Sequence, residues 1–296
     1  CELDITVFNT KECKYTTLKR STLINFLKKD LDDRIKTGYN ISKINYQEKK
    51  IQISFENNET EICDYLIISD GVFSKSKNLI SNNQNKPKYN DTLAIRGVLS
   101  KPPENIDNKN ISLFLGSDFH HVTYPINSNG ALNLIAIMKY KLSTEEQKNY
   151  FLSNDNFFVK KVLKKIPLEN KEFFENLEEL KVYPVFVSDN FYKIQNNNIH
   201  LIGDAFFAFP PSFAQGASQS IEGAYELFQS IENNLENKFF KKRVDKIKMV
   251  NFRSKFNQFI FHLSGPFNTF VRNIFLKRLV KNKKFLESYL GKIYRN

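Results

Sequence analysis

The segment "NNIHLIGDAFFAFPPSFAQGASQSIEGAYELF", starting at Asn197, constrains the fold of this chain more than any other. A short apolar run ends in Gly203-Asp204, which predicts a buried strand delivering an Asp to the carboxyl edge of a sheet, where α/β proteins bind ligands. Pro210-Pro211 stiffens the loop that follows. Gln215-Gly216 then opens a helix in which Ala217, Ile221, Ala224, Phe228 and Ile231 share one face. The first N–H groups of such a helix lack partners inside it and can face an anion or a polarised ring oxygen. Asp204 could accept hydrogen bonds from sugar hydroxyls. The same residues also read as a Pro-rich loop with a capping Asp, and spacing alone leaves both readings open.

The chain has 296 residues, enough for one large domain or two ordinary ones, and its 28 Phe and 41% hydrophobic content supply a core. No run approaches the roughly 18 consecutive apolar residues of a spanning helix. Cys1, Cys13 and Cys63 form no C-x-x-C spacing, and so sparse a set suggests a reducing compartment without a disulfide framework. The net charge of +12 is unevenly spread: residues 241–296 carry 15 Lys/Arg against 2 Asp/Glu, and the other 240 residues carry 29 against 30. Nucleic-acid binding would call for basic patches in the body, so the charge balance argues against it.

Helical spacing of Leu23, Phe26, Leu27, Leu31 and Ile35 predicts a helix capped at Ser21 or Thr22 and ended by Gly38. "YNISKINY", "KKIQISFEN" and "EICDYLIIS" read as strands, the last nearly all apolar and hence central, with another helix beginning near Ser74. From about Asn90, "DTLAIRGVLS", "NISLFLGS", "FHHVTYPI" and "ALNLIAIMKY" predict an antiparallel sheet inserted between the halves of an α/β domain. Charged helical stretches are expected over residues 143–180, and helices broken at Gly265-Pro266 after Phe239. His120 and His121 are neighbours in an expected strand, so their rings point to opposite faces and do not share a metal; His200 and His262 show no ligand spacing. Gly216 to Ser220 only superficially matches a nucleophile elbow, because its last position is Ser and not Gly.

"LIGDAFFAFPPSFAQGASQSIEGA" resembles the second flavin-contact motif of the class A FAD-dependent aromatic hydroxylases, through Gly203, Asp204, Ala205, Pro211, Gln215, Gly216 and Glu222. "YLIISDGVFSKSKNLI" resembles that family's D-G-x-x-S-x-x-R segment through Asp70, Gly71 and Ser74, with Lys77 in the Arg place. "LKRSTLINFL" resembles its R-x-x-L-x-x-x-L helix start, with Arg20 as the flavin-side Arg. "RGVLS", "YPINSNGALNLIAIM" and "FNQFIFHLSGPFNTFVRN" look like the substrate sheet and C-terminal region of the ubiquinone-pathway and salicylate-type members.

The resemblance implies an α/β, Rossmann-like FAD domain over residues 1–90 and 185–235, a substrate sheet over 91–184, and a helical region over 236–296. It implies FAD as cofactor and NAD(P)H as co-substrate, with O2 as the oxygen donor to a small aromatic substrate. Asp204 would meet the FAD ribose and diphosphate, Gln215 and Gly216 the isoalloxazine, and Asp70 and Gly71 the dinucleotide. Arg96, His121, Tyr124 and Pro125 would line the substrate cavity.

The family's opening G-x-G-x-x-G unit is not found in this sequence, so the chain is expected to be a fragment that starts after that first βαβ unit. Phe207 stands where the family has His, Ala214 where it has Gly, Ser218 where it has Asn, and Gly223 where it has Asp. The rival expectation is therefore a non-catalytic relic of the same fold that has lost FAD. The expected location is cytoplasmic. Apolar residues interleave with the charges of the tail, and its Phe face is expected to pack on the body, while a basic face left outside suits an anionic membrane surface.

Overall fold

The computed structural model describes residues 1–11, 14–47, 50–80, 86–103, 106–127, 129–149, 152–167, 170–192, 194 and 198–294. Its strands are β1 (Ile41–Gln47), β2 (Lys50–Phe55), β3 (Thr60–Cys63), β4 (Leu66–Ile68), β5 (Lys88–Leu99), β6 (Ser112–Leu115), β7 (Phe119–Pro125), β8 (Leu132–Lys139), β9 (Glu178–Val187) and β10 (Ile199–Leu201). Its helices include α1 (Arg20–Lys28), α2 (Lys75–Leu79), α3 (Thr144–Lys148), α4 (Asn156–Leu163), α5 (Lys171–Glu175), α6 (Gly203–Phe206), α7 (Gly216–Glu232), α8 (Glu236–Phe261) and α9 (Pro266–Leu279). The chain divides into two compact units, one of residues 1–29, 91–184 and 258–296, the other of 30–90 and 185–257. Residues 1–29 thus cluster with the inserted sheet, and 236–257 with the α/β half, which differs from the expected boundaries.

In the α/β unit, β1, β2 and β3 form an antiparallel sheet and β4 pairs in parallel with β10. The expected single strand "EICDYLIIS" is two strands, broken at Asp64-Tyr65, because its first half pairs with β2 and its second with β10. The core joins Ile44, Ile51 and Ile53 to Leu66, Ile68, Ile199, Leu201, Phe206 and Phe207, with Ile247 of α8 closing it. The expected apolar face of α7 is not its packing face. Ile221 and Phe228 are exposed, and the helix buries Gln219, Gly223 and Leu227 instead.

In the other unit, strands in the order β6-β7-β8-β5-β9 form the expected antiparallel sheet, extended by β9. β9 lies partly in the stretch expected to be helical; its charged residues Glu178, Glu179 and Lys181 hid a strand whose Val182 and Val187 are buried. One face of the sheet carries Leu93, Ile95, Leu134, Ala136 and Phe119, all buried, and the helical layer contributes Phe158, Val162 and Phe174. The expected helix from Ser21 runs over Arg20–Lys28 without a side-chain cap, and it stops before Asp30, which has φ of 64°. None of its residues is buried, and Phe26 is 72% exposed. Cys1 and Cys63 are free thiols, and Cys13 lies outside the described residues.

Candidate functional site

Two of the recognised motifs leave the same end of one parallel strand pair. Leu66, Ile67 and Ile68 pair with Ile199, His200 and Leu201, and the Ile202 N–H donates to the Ile68 carbonyl at 3.0 Å. Two residues beyond the paired Ile68 and Leu201 come Asp70 and Gly203, so Asp70-Gly71 and Gly203-Asp204 lie side by side at the carboxyl edge. This is where an α/β sheet opens to a ligand.

Each motif is fixed by local chemistry. The Asp70 carboxylate accepts from the Ser76 N–H at 3.0 Å, and the Ser74 hydroxyl accepts from the Lys77 N–H at 3.0 Å, so both residues cap α2. Gly71 takes φ of 86°, a left-handed conformation that suits glycine. Lys77, in the Arg place, is buried, and that burial holds its ammonium below the usual lysine range. Gly203 takes φ of 59°, and a Cβ there would meet the Ser220 hydroxyl at 3.0 Å, so glycine lets the strand end close onto α7. Asp204 follows, an exposed residue, yet enough protein surrounds its carboxyl to raise it above the usual carboxylate range. Ala205 is fully buried behind it.

The loop beyond is rigid. Pro211 begins a 3-10 turn through Phe213, and the Asn257 amide of α8 donates to the Ser212 carbonyl at 3.1 Å. Gln215 is buried and makes no cap to α7, while Gly216, Ala217 and Ser218 are exposed in the first turn, and space around Gly216 is open. Helix N–H groups therefore face outward at this point. A crevice of about 290 Å³, including space open to solvent, runs along Gly203, Asp204, Gly216 and Gln219 to Arg243.

The family departures have visible structural partners. Phe207 stacks on Phe191 with centroids 4.4 Å apart, so a core aromatic pair replaces the expected imidazole. At Gly223, a Cβ would lie 3.1 Å from Arg243 Nε; the Arg243 side chain from α8 takes the space of the family's Asp. Arg243 donates to Gln219 Oε1 at 2.8 Å, to Glu226 Oε2 at 3.1 Å and to Glu222 Oε1 at 3.3 Å. Sequence reasoning missed Arg243; the Gly in an Asp place was the available signal.

Ala214 adopts φ of 52° and ψ of 31°, the left-handed region in which a Cβ is strained. Ala214→Gly should raise stability by about 0.5–1 kcal/mol, the relief of that strain less the added freedom of an unfolded glycine. Urea unfolding followed by circular dichroism measures it; a loss of similar size would mean that the loop depends on the methyl group.

The other unit holds Arg20, Arg96, His121, Tyr124 and Pro125. Arg96 pairs with Ile135 and Ile135 with Val122, which puts Arg96, Val122 and Tyr124 on one sheet face. Burial raises the Tyr124 hydroxyl, and the nearby Arg96 charge partly offsets that rise. The Thr17 hydroxyl donates to the Pro125 carbonyl at 2.8 Å, three residues before α1 begins at Arg20.

Pro125, paired with Leu132, alternates to the other face, and His121 does not join Arg96 and Tyr124 either. His121 lies on the opposite face in a cluster of phenylalanines, stacked on Phe114 at 4.4 Å, because adjacent strand residues alternate. Neither of its ring nitrogens has a hydrogen-bond partner among the described residues. His120 meets His262 at 2.8 Å between Nδ1 and Nε2, a long-range contact that no spacing could announce. Among the described residues no group of three or more potential ligands could hold a metal.

Comparison with known proteins agrees with this architecture. The chain is similar to a salicylate hydroxylase of Pseudomonas putida, 24% identical over 243 residues, which are 72% of this chain and 53% of that protein. It is also similar to a chloroplastic zeaxanthin epoxidase of an Oncidium hybrid cultivar, 22% identical over 205 residues, 68% of this chain and 30% of that one. The chain thus spans about half or less of the length of these relatives. Among solved structures, Klebsiella pneumoniae HpxO complexed with FAD and uric acid superposes with a TM-score of 0.76 at 14% identity, covering 93% of this chain and 71% of that one. A salicylate hydroxylase substrate complex superposes with a TM-score of 0.69 at 17% identity, covering 93% and 75%. These likenesses establish the fold. The family model described as squalene epoxidase matches residues 63–263, well over half of the chain and both edges of the parallel strand pair, and the chain belongs to that family.

Proposed function

We propose that this chain belongs to a FAD-dependent monooxygenase that hydroxylates a small aromatic substrate with NAD(P)H and O2. One observation carries the reading: Asp70-Gly71 and Gly203-Asp204 leave adjacent parallel strands at one sheet edge, followed by a helix with outward N–H groups. The residues fit the cofactor. The Asp204 carboxylate would accept hydrogen bonds from FAD ribose hydroxyls, with Gly203, Ala205 and Pro211 shaping the wall around it. The N–H groups at Gly216, beside Gln215, would meet a polarised ring oxygen. Asp70 and Gly71 would support the dinucleotide by keeping the neighbouring loop closed on α2. FAD, when bound, would be reduced by NAD(P)H and pass an oxygen atom of O2 to an aromatic ring.

On the sheet, Arg96 would hold an anionic or phenolic group of the substrate, with Tyr124 on the same face, while Pro125 alternates to the other face. His121 is left out, because its ring is on the far face. No helix among the described residues is long and apolar enough to cross a membrane, and a peripheral contact at the inner, cytoplasmic membrane face completes the reading.

A FAD titration followed by flavin fluorescence tests this proposal. The 296-residue chain is expected to bind weakly, since the diphosphate lacks a Gly-rich cradle in this sequence. Asp204→Ala should weaken binding by about 1–3 kcal/mol through lost charge-assisted hydrogen bonds. Arg96→Ala should leave binding unchanged. Equal loss in both variants, with folding intact, would refute the assignment of the sheet edge; sub-micromolar binding by the chain would refute the expectation that a Gly-rich cradle is needed for the diphosphate.

A further inference from the structure

Helix α9 is turned the wrong way for a helix that completes a core. Its one inward charge, Arg272, is 3% exposed and donates to four backbone carbonyls: Gly116 at 2.8 Å, Phe261 at 3.2 Å, Leu263 at 3.4 Å and Leu115 at 3.5 Å. Thr269, Leu276 and Leu279 lie on the same, partly buried side. With that side pinned, Phe267, Phe270, Val271, Ile274 and Phe275 are left outside, at 77%, 64%, 46%, 40% and 41% exposure. They recur at i, i+3, i+4, i+7 and i+8, a continuous apolar stripe facing away from the protein. The expectation that the tail's Phe face packs on the body is thus reversed over α9.

The surroundings of the stripe say what covers it. Lys277, Arg278, Lys281, Lys283 and Lys284 follow at and beyond its C-terminal end, all exposed, and none pairs with a carboxylate among the described residues. Residues 258–296 contain eight Lys/Arg and a single acid, Glu287. A second copy of this chain would bring two like-charged faces together, which costs binding energy. A helix of 14 residues is about 21 Å long, too short to span a bilayer core of about 30 Å, but suited to lie in its surface.

We propose that α9 is an interfacial helix that seats its phenylalanine stripe in an anionic lipid surface, with Arg272 fixing the helix rotation and the five cations meeting lipid headgroups. The contact does not depend on flavin chemistry, so its success or failure is separate from that of the monooxygenase reading.

The test is co-sedimentation of the 296-residue chain with vesicles of phosphatidylcholine alone or mixed equally with phosphatidylglycerol, at low and high salt. Binding should require the anionic lipid and fall with salt. Lys281→Ser/Lys283→Ser/Lys284→Ser should weaken it about a hundredfold, since each cation near the surface contributes about 1 kcal/mol, or about fivefold. Phe270→Ser/Phe275→Ser, both at exposed positions, should weaken it at least tenfold while the circular dichroism spectrum stays unchanged. Three results would overturn the proposal: no sedimentation with anionic vesicles at low salt, binding indifferent to both variants, or lipid-free self-association that the Phe variant abolishes, which would give the stripe to a second copy.

Discussion

Arg243→Met should cost about 3–5 kcal/mol of folding stability, because it removes the cation from a buried network and leaves two carboxylates behind. Arg243 is the buried centre of that network, and it holds α8 to α7 through Gln219, Glu222 and Glu226. Methionine matches much of its length but offers no donor to those three groups. The side chains of Glu222 and Glu226 keep 24% and 13% exposure, so water can partly replace the guanidinium, and the lower end of the range is expected. Lys242 and Lys246 also approach these carboxylates, at 3.1 and 3.4 Å, and soften the loss further. Urea unfolding by circular dichroism gives the number. Arg243→Met/Glu222→Gln/Glu226→Gln should recover part of it, since no uncompensated charge then remains. A loss below about 1 kcal/mol in the single variant would mean that the network is solvated and does not hold the two helices together.

Acid should destabilise the chain well before its carboxylates are titrated. Burial pushes His120 down to about 3 and His262 down to about 4, and their mutual contact, which needs one proton between the two facing nitrogens, cannot survive protonation of both rings. His121, caged by phenylalanines, is pushed down to about 4. Asp118 opposes the shift at His262 and Lys139 adds to it. Folded values below the unfolded value of 6.5 mean that the unfolded chain takes up protons first. The stabilisation is therefore complete above pH 6.5 and is lost as pH falls toward 4 and then 3. Each pKa unit corresponds to 1.36 kcal/mol, so each ring contributes on the order of 3 kcal/mol at full titration. Thermal unfolding measured across this range should show the fall, and His121→Leu should flatten it by about a third. A profile that stays level down to pH 4 would contradict the burial of all three rings.

The two motifs at the sheet edge were legible because they need backbone conformations that few residues tolerate. Gly71 and Gly203 occupy left-handed positions, Pro211 starts a 3-10 turn, and Ser74 caps the helix that follows Asp70; each leaves a local trace in the sequence. The four inserted strands were legible through their turn residues and apolar content. β9 was not, because its charged positions imitate a solvated helix while its partner β5 lies far away in the chain. The residues expected to line a substrate cavity on the sheet do not all share a face: Arg96 and Tyr124 do, but His121 and Pro125 turn away from them by the two-residue period of the strand.

By itself the sequence determined the order of the elements, the strand-to-helix turn at Gly203-Asp204, and the concentration of positive charge in the last 56 residues, from Lys241 to Asn296. These follow from local propensity and composition. Only the tertiary structure decided which faces are buried. The apolar stripe of α7 points outward because Arg243 draws the opposite, polar face inward; that of α9 does so because Arg272 is held by four backbone carbonyls. Periodicity identifies the face that would gain most from burial. A buried guanidinium that must satisfy its donors can outweigh that preference. Its partners, 24 residues away for Gln219 and 156 for Gly116, are invisible to any window along the chain.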